Sequence, residues 1–482
     1  MLTIADILLE ANPDSLELMR QRVQAFANRE DPKISGVPSF VRLQQISQLH
    51  FISMQIIEDG HFDPLLVFEN NFEGEPETYW QSVLAQLSDD LRGIFACTKE
   101  ATKPEWARLF FPGNSDSLAE FLRAHSCSAS AQHFGAVANS LLSISRGRQV
   151  FEDIQTELGP TGSGYRKLDA PGVHKALRKW ALEKYEWFRH AEIPTTDQAL
   201  RTYKWSTLRP IAPWLVTVIV LLGLVFVFLA AVLSNYLMHW WTSLPGHSPT
   251  VHFAVRLAVR FVVGWLLLLL TALPVFRVGF VLYKLLRRLE ESDFTQDHPP
   301  LSPEQLKLFA AQEDHIVQNH LASMVLVKPG MLRGFLIRAA LRALKFVVPL
   351  KAWNGYLGSM RTIHFAHWTL VGNSGRLLFL SNFDGSWQSY LDDFVDKAHR
   401  GLTLAWGNCV GFPRTEDLVR QGAAHGTEFK AWARQSQTQN ILWYSAYPTL
   451  TVNQIIRNTS IVDGLRKESM KQKEAEQWAQ LL

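Results

Sequence analysis

Residues 364–389 read HFAHWTLVGNSGRLLFLSNFDGSWQS, with two apolar runs separated by the turn sequence Gly-Asn-Ser-Gly. Runs of this length that are bounded by turn residues predict an antiparallel β-hairpin, here with strands over 362–371 and 376–382. The second run ends in Asn-Phe-Asp-Gly, and the apolar spacing after it predicts a helix over 387–404. The segment therefore indicates a strand–strand–helix unit.

The same short words recur near the front of the chain, in the same order. The matching pairs are 50–51 with 364–365, 71–74 with 382–385, 80–82 with 387–389, 92–93 with 400–401 and 111–112 with 412–413. Their offsets are 314, 311, 307, 308 and 301, and loop insertions would produce such a drift. Because an internal repeat decides the architecture, the chain is predicted to contain two copies of one unit.

Each copy predicts the order strand, helix, strand, strand, helix, strand, which is the ferredoxin-like βαββαβ unit. The back copy has predicted first and last strands at 320–327 and 441–446, and the front copy has them at 2–9 and 132–137. One such sheet leaves a face uncovered. The predicted fold class is therefore α+β, with two ferredoxin-like repeats that form an intramolecular pseudo-dimeric barrel or sandwich.

A transmembrane hairpin is predicted between the two copies. No charged residue occurs between Arg209 and Arg256, and residues 211–233 are almost wholly apolar, which is long enough to cross a hydrocarbon core of about 30 Å. A second apolar run covers 261–276, and the connecting segment 236–255 carries no Lys or Arg. The positive-inside rule then predicts a two-span protein of the inner (plasma) membrane with both termini in the cytoplasm.

These patterns divide the chain into six predicted parts. They are a first repeat at 1–155, a juxtamembrane basic and aromatic linker at 156–209, the hairpin at 210–284, a linker at 285–318, a second repeat at 319–466 and a charged tail at 467–482. Within the first linker, residues 171–190 mix Lys and Arg with Trp and Tyr. Two interpretations stay open, a helix at an anionic membrane surface or a solvated helix packed on the soluble domain.

The composition of the chain indicates which classes of partner it binds and which cellular compartment it occupies. The net charge of +3 gives no nucleic-acid signal, and the three cysteines are odd in number and far apart. No disulfide framework and no metal spacing is predicted, which fits a reducing compartment. Asp6 and Glu10 near the start argue against a signal peptide. Membrane lipid is the predicted partner and nucleic acid is not, while formation of a homo-oligomer stays open.

Tandem ferredoxin-like units in one chain resemble the dimeric α/β-barrel superfamily. Residues 381–385, Ser-Asn-Phe-Asp-Gly, are similar to the Gly-x-x-Asp-Gly stretch of its dye-decolourising haem peroxidase branch, with Ser381 in place of the leading Gly. The resemblance implies haem as the cofactor and a peroxidase-like oxidoreductase activity. It also implies that Asp384 acts on the distal side of the haem.

Residues found in the back copy alone are the better candidates for a site, because the front copy has other residues at the positions of His367, Trp368 and His399. A histidine that faces a cavity can ligate haem iron or act as a base. Strict alternation puts His364 and Trp368 on one face and His367 on the other, so one histidine is expected to face the interior. The candidate catalytic residues are Asp384, His367 and Arg400, and the candidate cofactor-binding residues are His364, His399 and Trp368.

The duplicated acids Asp384 and Glu73 have a structural interpretation as well. At the end of a strand and just before a helix, Asp384 is expected to cap the helix that starts at Trp387. Two functions therefore stay open. One is a membrane-anchored haem enzyme whose site lies between the strand at 362–371 and the helix at 387–404, and the other is a non-enzymatic membrane-tethered scaffold or lipid-proximal binding module.

Overall fold

The computed structural model describes residues 2–30, 41–111, 113–114, 116–159, 162–189, 194–209, 212–242, 249–293, 301–311, 313, 316–351, 360–372 and 375–482. The chain forms two compact units, Met1–Lys204 with Thr295–Leu482, and Trp205–Phe294. Several predicted features contain residues that lie outside these ranges. These residues are 112 of the matched pair 111–112, 160–161 and 190–193 of the linker at 156–209, 210–211 and 243–248 of the hairpin, 294–300, 312 and 314–315 of the linker at 285–318, and 373–374 of the predicted turn.

Antiparallel strands and helices alternate through the first unit, which confirms the predicted α+β class. The strands are β1 (Leu2–Ile4), β2 (Asp6–Glu10), β3 (Leu49–Ile57), β4 (Leu65–Glu73), β5 (Ser126–Cys127), β6 (Ala131–Phe134), β7 (Gln318–Leu326), β8 (Ile363–Val371), β9 (Arg376–Asp384), β10 (Thr415–Glu416), β11 (Arg420–Gln421), β12 (Gln437–Thr438) and β13 (Leu442–Ser445).

Most helices pack within the first unit, and two long helices make up most of the second unit. In chain order, the helices are α1 (Leu16–Glu30), α2 (Val41–Gln44), α3 (Pro76–Phe95), α4 (Pro104–Ala107), α5 (Ala119–His125), α6 (Leu141–Leu158), α7 (Ala170–Lys184), α8 (Thr196–Leu208), α9 (Ala212–Thr242), α10 (Pro249–Ser292), α11 (Pro303–Ala310), α12 (Met331–Lys351), α13 (Trp387–Asp393), α14 (His399–Trp406), α15 (Gly426–Ser436), α16 (Val452–Arg466) and α17 (Gln472–Ala479). A π-helical turn, Phe394–Ala398, joins α13 to α14.

The two halves of the chain exchange a strand. One sheet has the order β13-β3-β4-β2-β5, with β1 also paired to β4, and the other has the order β12-β7-β9-β8-β6. Strand β6 from the front half therefore pairs with β8 of the back half, and β13 from the back half pairs with β3 of the front half. The predicted last strands, 132–137 and 441–446, correspond to β6 and β13, and the expectation that each completes the sheet of its own half is wrong. The short strands β5 and β12, just before them in the chain, pair with the first strand of their own half instead.

The exchange is reciprocal down to single hydrogen bonds. The amide of Gly135 donates to the carbonyl of His364, and the amide of Ala446 donates to the carbonyl of His50, each at 2.9 Å. Apart from the exchanged strand, each sheet follows the order second, third, first and fourth strand of its own half. Equivalent strands therefore occupy equivalent places in the two sheets.

The sheets face each other and bury apolar side chains from both halves. Phe51 of β3 contacts Phe365 of β8 at 5.5 Å between ring centroids, and Tyr447 packs against Phe51 at 5.3 Å. On the outer faces the same aromatic stack occurs twice, Phe72 on Tyr79 at 3.8 Å and Phe383 on Tyr390 at 3.9 Å. Because burial of large aromatic side chains dominates core energetics, these contacts hold sheet to sheet and helix to sheet.

The basic and aromatic segment at 171–190 packs on other helices of the first unit. Helix α7 buries Leu177 and Ala181 against α16 and α17, and His174 Nε2 lies 3.0 Å from the carbonyl of Gly464. Tyr185 and Phe188, just beyond the helix, are buried in the same cluster. The packed interpretation of this segment is therefore the one that the structure favours.

Two helices of the second unit are long and apolar enough to cross a membrane. The first span is Val216–Leu233, with a mean hydropathy of 3.2, and the second is Leu257–Ser292, with a mean hydropathy of 2.2. None of the first span and 7% of the second is buried within the structure. Most of the apolar side chains that the structure describes in the two spans are therefore exposed. Pro274 lies inside α10, as a membrane helix tolerates.

Candidate functional site

Both histidines of β8, His364 and His367, lie between the two sheets. The pairing of β8 with β9 shifts between Ile363 and Phe365, which marks a β-bulge at His364. A bulge places one extra residue on the strand, so His364 and Phe365 share a face, and His367 follows on that face. The prediction that only one histidine faces the interior is wrong, because it assumed unbroken alternation.

His364 and Asp384 connect the back sheet to the start of a helix. His364 Nε2 lies 2.7 Å from Asp384 Oδ1, and the Gln318 amide lies 3.3 Å from the same nitrogen. The other carboxylate oxygen of Asp384 accepts a hydrogen bond from the amide of Val452, at 2.7 Å, at the start of α16. The predicted cap at Trp387 is wrong, because Ser386 is the N-cap of α13. Asp384 instead accepts the free amide of Val452 at the start of α16, whose N-cap residue is Thr451.

The front half repeats this arrangement. His50 Nε2 lies 3.3 Å from Glu73 Oε2, and that oxygen accepts a hydrogen bond from the amide of Leu141, at 2.9 Å, at the start of α6. Burial lowers the pKa of His50. Burial opposes ionisation of Glu73, but the hydrogen bonds from His50 and Leu141 outweigh it, so the pKa of Glu73 lies below its usual value. The histidine and the acid that occur in both halves therefore stabilise the fold that the two halves share.

Two further buried pairs join one half to the other. His367 Nε2 lies 2.8 Å from Asp6 Oδ2, and His320 Nε2 lies 2.7 Å from Glu69 Oε2. Burial lowers the pKa of His367, but the Asp6 carboxylate outweighs it, so the net shift is upward. Glu69 keeps its charge despite burial, because His320 lowers its pKa to about 2.

Sequence reasoning missed Asp6, Glu69 and His320. Each lies in an apolar strand, and all three are buried. A signal was present, since a charged residue inside an apolar strand must find a partner of opposite charge or become neutral. The partners themselves lie hundreds of residues away in the chain, so the pairing follows only from the arrangement of the strands.

A pocket of about 160 Å³ lies where the sequence predicted a site, between β8 and the helical segment that follows β9. Its lining residues are His133, Leu344, Val348, Trp368, Lys397, Ala398, Gly401 and Leu402. The histidine in this pocket is His133 of β6, which the strand exchange brings from the front half. Trp368 is the one candidate site residue that lines it.

The other candidates from the helix lie elsewhere. His399 Nδ1 lies 3.1 Å from the carbonyl of Val395, and Arg400 is exposed. The predicted single helix over 387–404 is interrupted by the π-helical turn, so His399 begins α14 and does not end a helix. Neither residue belongs to the pocket lining.

The candidate haem residues do not fit that cofactor. His364 and His367 are enclosed between the sheets, and each points its Nε2 at a carboxylate within 2.8 Å. The pocket beside Trp368 is smaller than the roughly 300–1,000 Å³ of typical ligand pockets. Among the described residues there is also no group of three or more His, Cys, Asp or Glu that could hold a metal ion.

The buried histidines are placed to hold strands and helices together, and the pocket beside Trp368 is mostly apolar, with Lys397 in its lining. No protein-family model, curated protein or solved structure matches the chain.

Proposed function

We propose that this protein is a membrane-anchored, non-enzymatic binding module whose soluble unit lies against an anionic lipid surface. The soluble unit is a pair of ferredoxin-like repeats of the dimeric α/β-barrel type, and α9 and α10 form the transmembrane hairpin. Both termini face the cytoplasm in this proposal.

The strand order supports the architecture. Second, third, first and fourth strand is the order that a βαββαβ unit gives to its sheet. The exchange of β6 and β13 supports a pseudo-dimeric barrel, because each half completes the sheet of the other. The exposed apolar surfaces of α9 and α10 and the basic residues that flank them support the anchor and its orientation.

The interior pairs support a structural role for the histidines. His364 and His367 hold Asp384 and Asp6, and Asp384 also accepts an amide at the start of α16. Haem-dependent peroxidase chemistry has no support from these positions. A haem absorbance band in the purified chain, or one that forms with haemin and disappears in His367→Phe, would contradict this part of the proposal.

The observation that carries the lipid-proximal role is the outer face of α12. From residue 316 to residue 383 the sequence has eight Lys or Arg and no Asp or Glu. On α12, Met331, Phe335, Arg338, Arg342 and Lys345 follow one another at helical spacing, and all five are exposed.

Such a face combines cations with large apolar side chains. Phe335 is 63% exposed and Met331 is 94% exposed, although α12 packs its other side on the sheet. A helix of this kind suits the interface of a membrane with anionic lipids, where each Lys or Arg contributes about 1 kcal/mol. The two apolar helices of the same chain keep the soluble unit close to a bilayer, which raises the effective concentration of that surface.

Photocrosslinking in nanodiscs tests this role. The full chain carries p-benzoylphenylalanine at position 335 and is placed in discs of phosphatidylcholine alone or with phosphatidylglycerol. We expect lipid adducts, several-fold more of them in the anionic discs. The matched control carries the same photoreactive group in place of Phe111, which is 61% exposed in the front half, and should give few adducts.

Variants with reversed charges test how much of the lipid crosslinking depends on electrostatic attraction. The double variant Arg338→Glu, Arg342→Glu should lose most of the extra adducts in anionic discs. The double variant Lys175→Glu, Lys179→Glu on α7 reverses two other exposed cations and should leave the yield unchanged. Equal yields from positions 335 and 111 would contradict the proposal.

A further inference from the structure

Helix α12 lines a pocket with the side that lies next to its exposed basic face. Leu344 and Val348 of this helix belong to the pocket lining. Lys345 of the exposed face lies one turn from Val348, so the two side chains are neighbours on the helix surface. The Nζ of Lys345 donates a hydrogen bond to the carbonyl of Ala129, at 3.3 Å, just before β6, whose His133 lines the same pocket. The cations of α12 therefore adjoin the pocket.

The pocket reaches the surface and is apolar inside. Val348, Ala398 and Gly401 in its lining are half-buried, whereas Leu402 and Trp368 are buried. The indole nitrogen of Trp368 is itself buried, so the lining presents mainly carbon atoms to the pocket. A lining of this kind favours a hydrocarbon group, because transfer of apolar surface out of water is favourable and a polar group would lose its hydrogen bonds to water.

Small residues on the second helical segment leave room for the pocket. Ala398 ends the π-helical turn, and Gly401 follows it in α14. A Cβ on Gly401 would meet no described heavy atom within 4 Å, so a longer side chain would extend there without a clash. Short π-helical turns occur frequently at functional sites.

The size of the pocket fits the end of a hydrocarbon chain. Its volume is about 160 Å³. A cavity of about 150 Å³ in another protein holds benzene, so this pocket has room for roughly six carbon atoms. A complete acyl chain of a membrane lipid is longer than that, and only its methyl end would enter.

We propose, on the basis of the lipid contact proposed for α12, that the pocket holds the methyl end of one acyl chain of an anionic phospholipid. The phosphate of this lipid lies against Arg342 and Lys345 on the exposed face, where charge-assisted hydrogen bonds are strong. Lys397 also belongs to the lining, but its Nζ pairs with Asp393 Oδ1 at 2.6 Å. The head group is therefore assigned to α12, which has no acidic residue.

Photoreactive lipids in nanodiscs that contain the full chain test the pocket. One phosphatidylglycerol probe carries a diazirine near the methyl end of an acyl chain, and a matched probe carries it next to the ester carbonyl. After irradiation and digestion, we expect the methyl-end probe to label peptides that contain residues 344–348 and 398–402. The carbonyl-end probe should label these peptides several-fold less. Labelling of α9 and α10 by both probes gives the internal standard.

Three variants locate the occupied space. Gly401→Leu and Val348→Trp fill the pocket from its two helical sides, and each should abolish labelling of the pocket while labelling of α9 and α10 stays. For each variant the labelling is read on the segment that carries no substitution. Gly164→Leu is the matched control and should change nothing, since a Cβ there also meets no described heavy atom within 4 Å and the residue lies outside the lining.

Three outcomes would overturn the proposal. The first is labelling by the methyl-end probe that is confined to α9 and α10 in a folded wild-type chain. The second is pocket labelling that persists in both folded filling variants. The third is labelling of the pocket by a free fatty acid with the same diazirine and not by phosphatidylglycerol, since the occupant would then not be a phospholipid.

This result is distinguishable from a failure of the proposed function. Lipid adducts at position 335 without labelling of the pocket would contradict the acyl-chain site alone. Loss of both would contradict the lipid contact of α12 as well.

Discussion

The front and back halves have the same order of strands in their sheets but differ in some of the side chains that these strands carry. In both halves a histidine at a bulge holds an acid that accepts an amide at the start of the helix after the last strand, through His50 and Glu73 or through His364 and Asp384. The halves diverge at His133 of β6 and Tyr444 of β13, which occupy matching positions in the strand pairing. The polar residues that occur in both halves therefore stabilise the shared fold, and His133, which occurs in one half, lines the pocket beside Trp368.

The halves are also not independent of each other. Each completes the other's sheet, and the Glu69–His320 and Asp6–His367 pairs cross between them. We therefore expect the soluble unit to unfold as one cooperative body. The following changes test how evenly the two halves share that stability.

The largest effect is expected from Glu69, whose pairing with His320 crosses between the halves. Glu69 accepts hydrogen bonds from Ser53, Asn71 and Asn382 as well as facing His320. Glu69→Ala leaves these buried groups without their acceptor and should cost about 3–5 kcal/mol in the free energy of unfolding, since each buried group left unpaired costs about 1–3 kcal/mol. Urea unfolding of the full chain in detergent measures it.

The control for this change is Glu77→Ala, which removes an exposed ion pair with Arg123 in the same half. Its effect should be far smaller, since exposed pairs contribute little. A double-mutant cycle with His320→Ala should show strong coupling to Glu69, and additive effects would contradict the pairing.

The strand crossing gives the next effect. A Cβ on Gly135 would lie 1.8 Å from the carbonyl oxygen of Ile363, whereas the corresponding position in the back half is already Ala446. Gly135→Ala must shift the backbone and should cost about 1–3 kcal/mol. Ala446→Gly should cost less than about 1 kcal/mol. Equal melting temperatures for the two variants would contradict the closer backbone approach at Gly135.

The two acids at the helix starts should differ by a smaller amount. Asp384 lies 2.7 Å from both His364 and the amide of Val452, and Glu73 lies at 3.3 and 2.9 Å from its partners. We expect a cost of about 2 kcal/mol for Asp384→Ala and about 1 kcal/mol for Glu73→Ala. Thermal unfolding of both variants compares them, and a greater loss from Glu73→Ala would reverse the order.

The smallest and most gradual effect is the pH dependence of the His367 pair. The pKa of His367 in the folded chain lies above its usual 6.5, because Asp6 outweighs the effect of burial. The contribution of the pair is then fully present below pH 6.5 and is lost as the pH rises through the raised pKa. The stability difference between wild type and Asp6→Asn should shrink over that range.

His50 in the front half should give a pH dependence of stability with the opposite sign. Burial lowers its pKa, so the unfolded chain binds a proton that the folded chain does not, and stability falls as the pH drops below 6.5. His50→Phe should therefore reduce the acid sensitivity of unfolding. If Asp6→Asn and His50→Phe changed the pH dependence of stability in the same direction, the assigned protonation states would be contradicted.

Two basic helices show where sequence reasoning reached its limit. Residues 171–190 and α12 both combine cations with large apolar residues, and the sequence pointed to the first as the membrane-surface candidate. The first packs its apolar side into the cluster with α16 and α17, and α12 exposes Phe335 and Met331. Composition identifies such helices, but the neighbours that cover one face depend on the fold.

The candidate site shows the same limit. Its place beside β8 followed from the residues that differ between the copies, and Trp368 does line a pocket there. The histidine of that pocket is His133 and not His367 or His399. His133 reaches the pocket because β6 of the front half pairs with β8 of the back half. The local sequence of β6 does not indicate with which strand it pairs.

The sequence by itself determined the repeat, the α+β class and the two membrane-length apolar helices, because these depend on local patterns of apolar residues and on the spacing of repeated words. The tertiary structure decided the exchange of β6 and β13, the bulge that turns His364 inward beside His367, and the pairing of Asp6 and Glu69 with histidines more than two hundred residues away. Those features depend on which strands meet, and buried charges find their partners only after the sheets have formed.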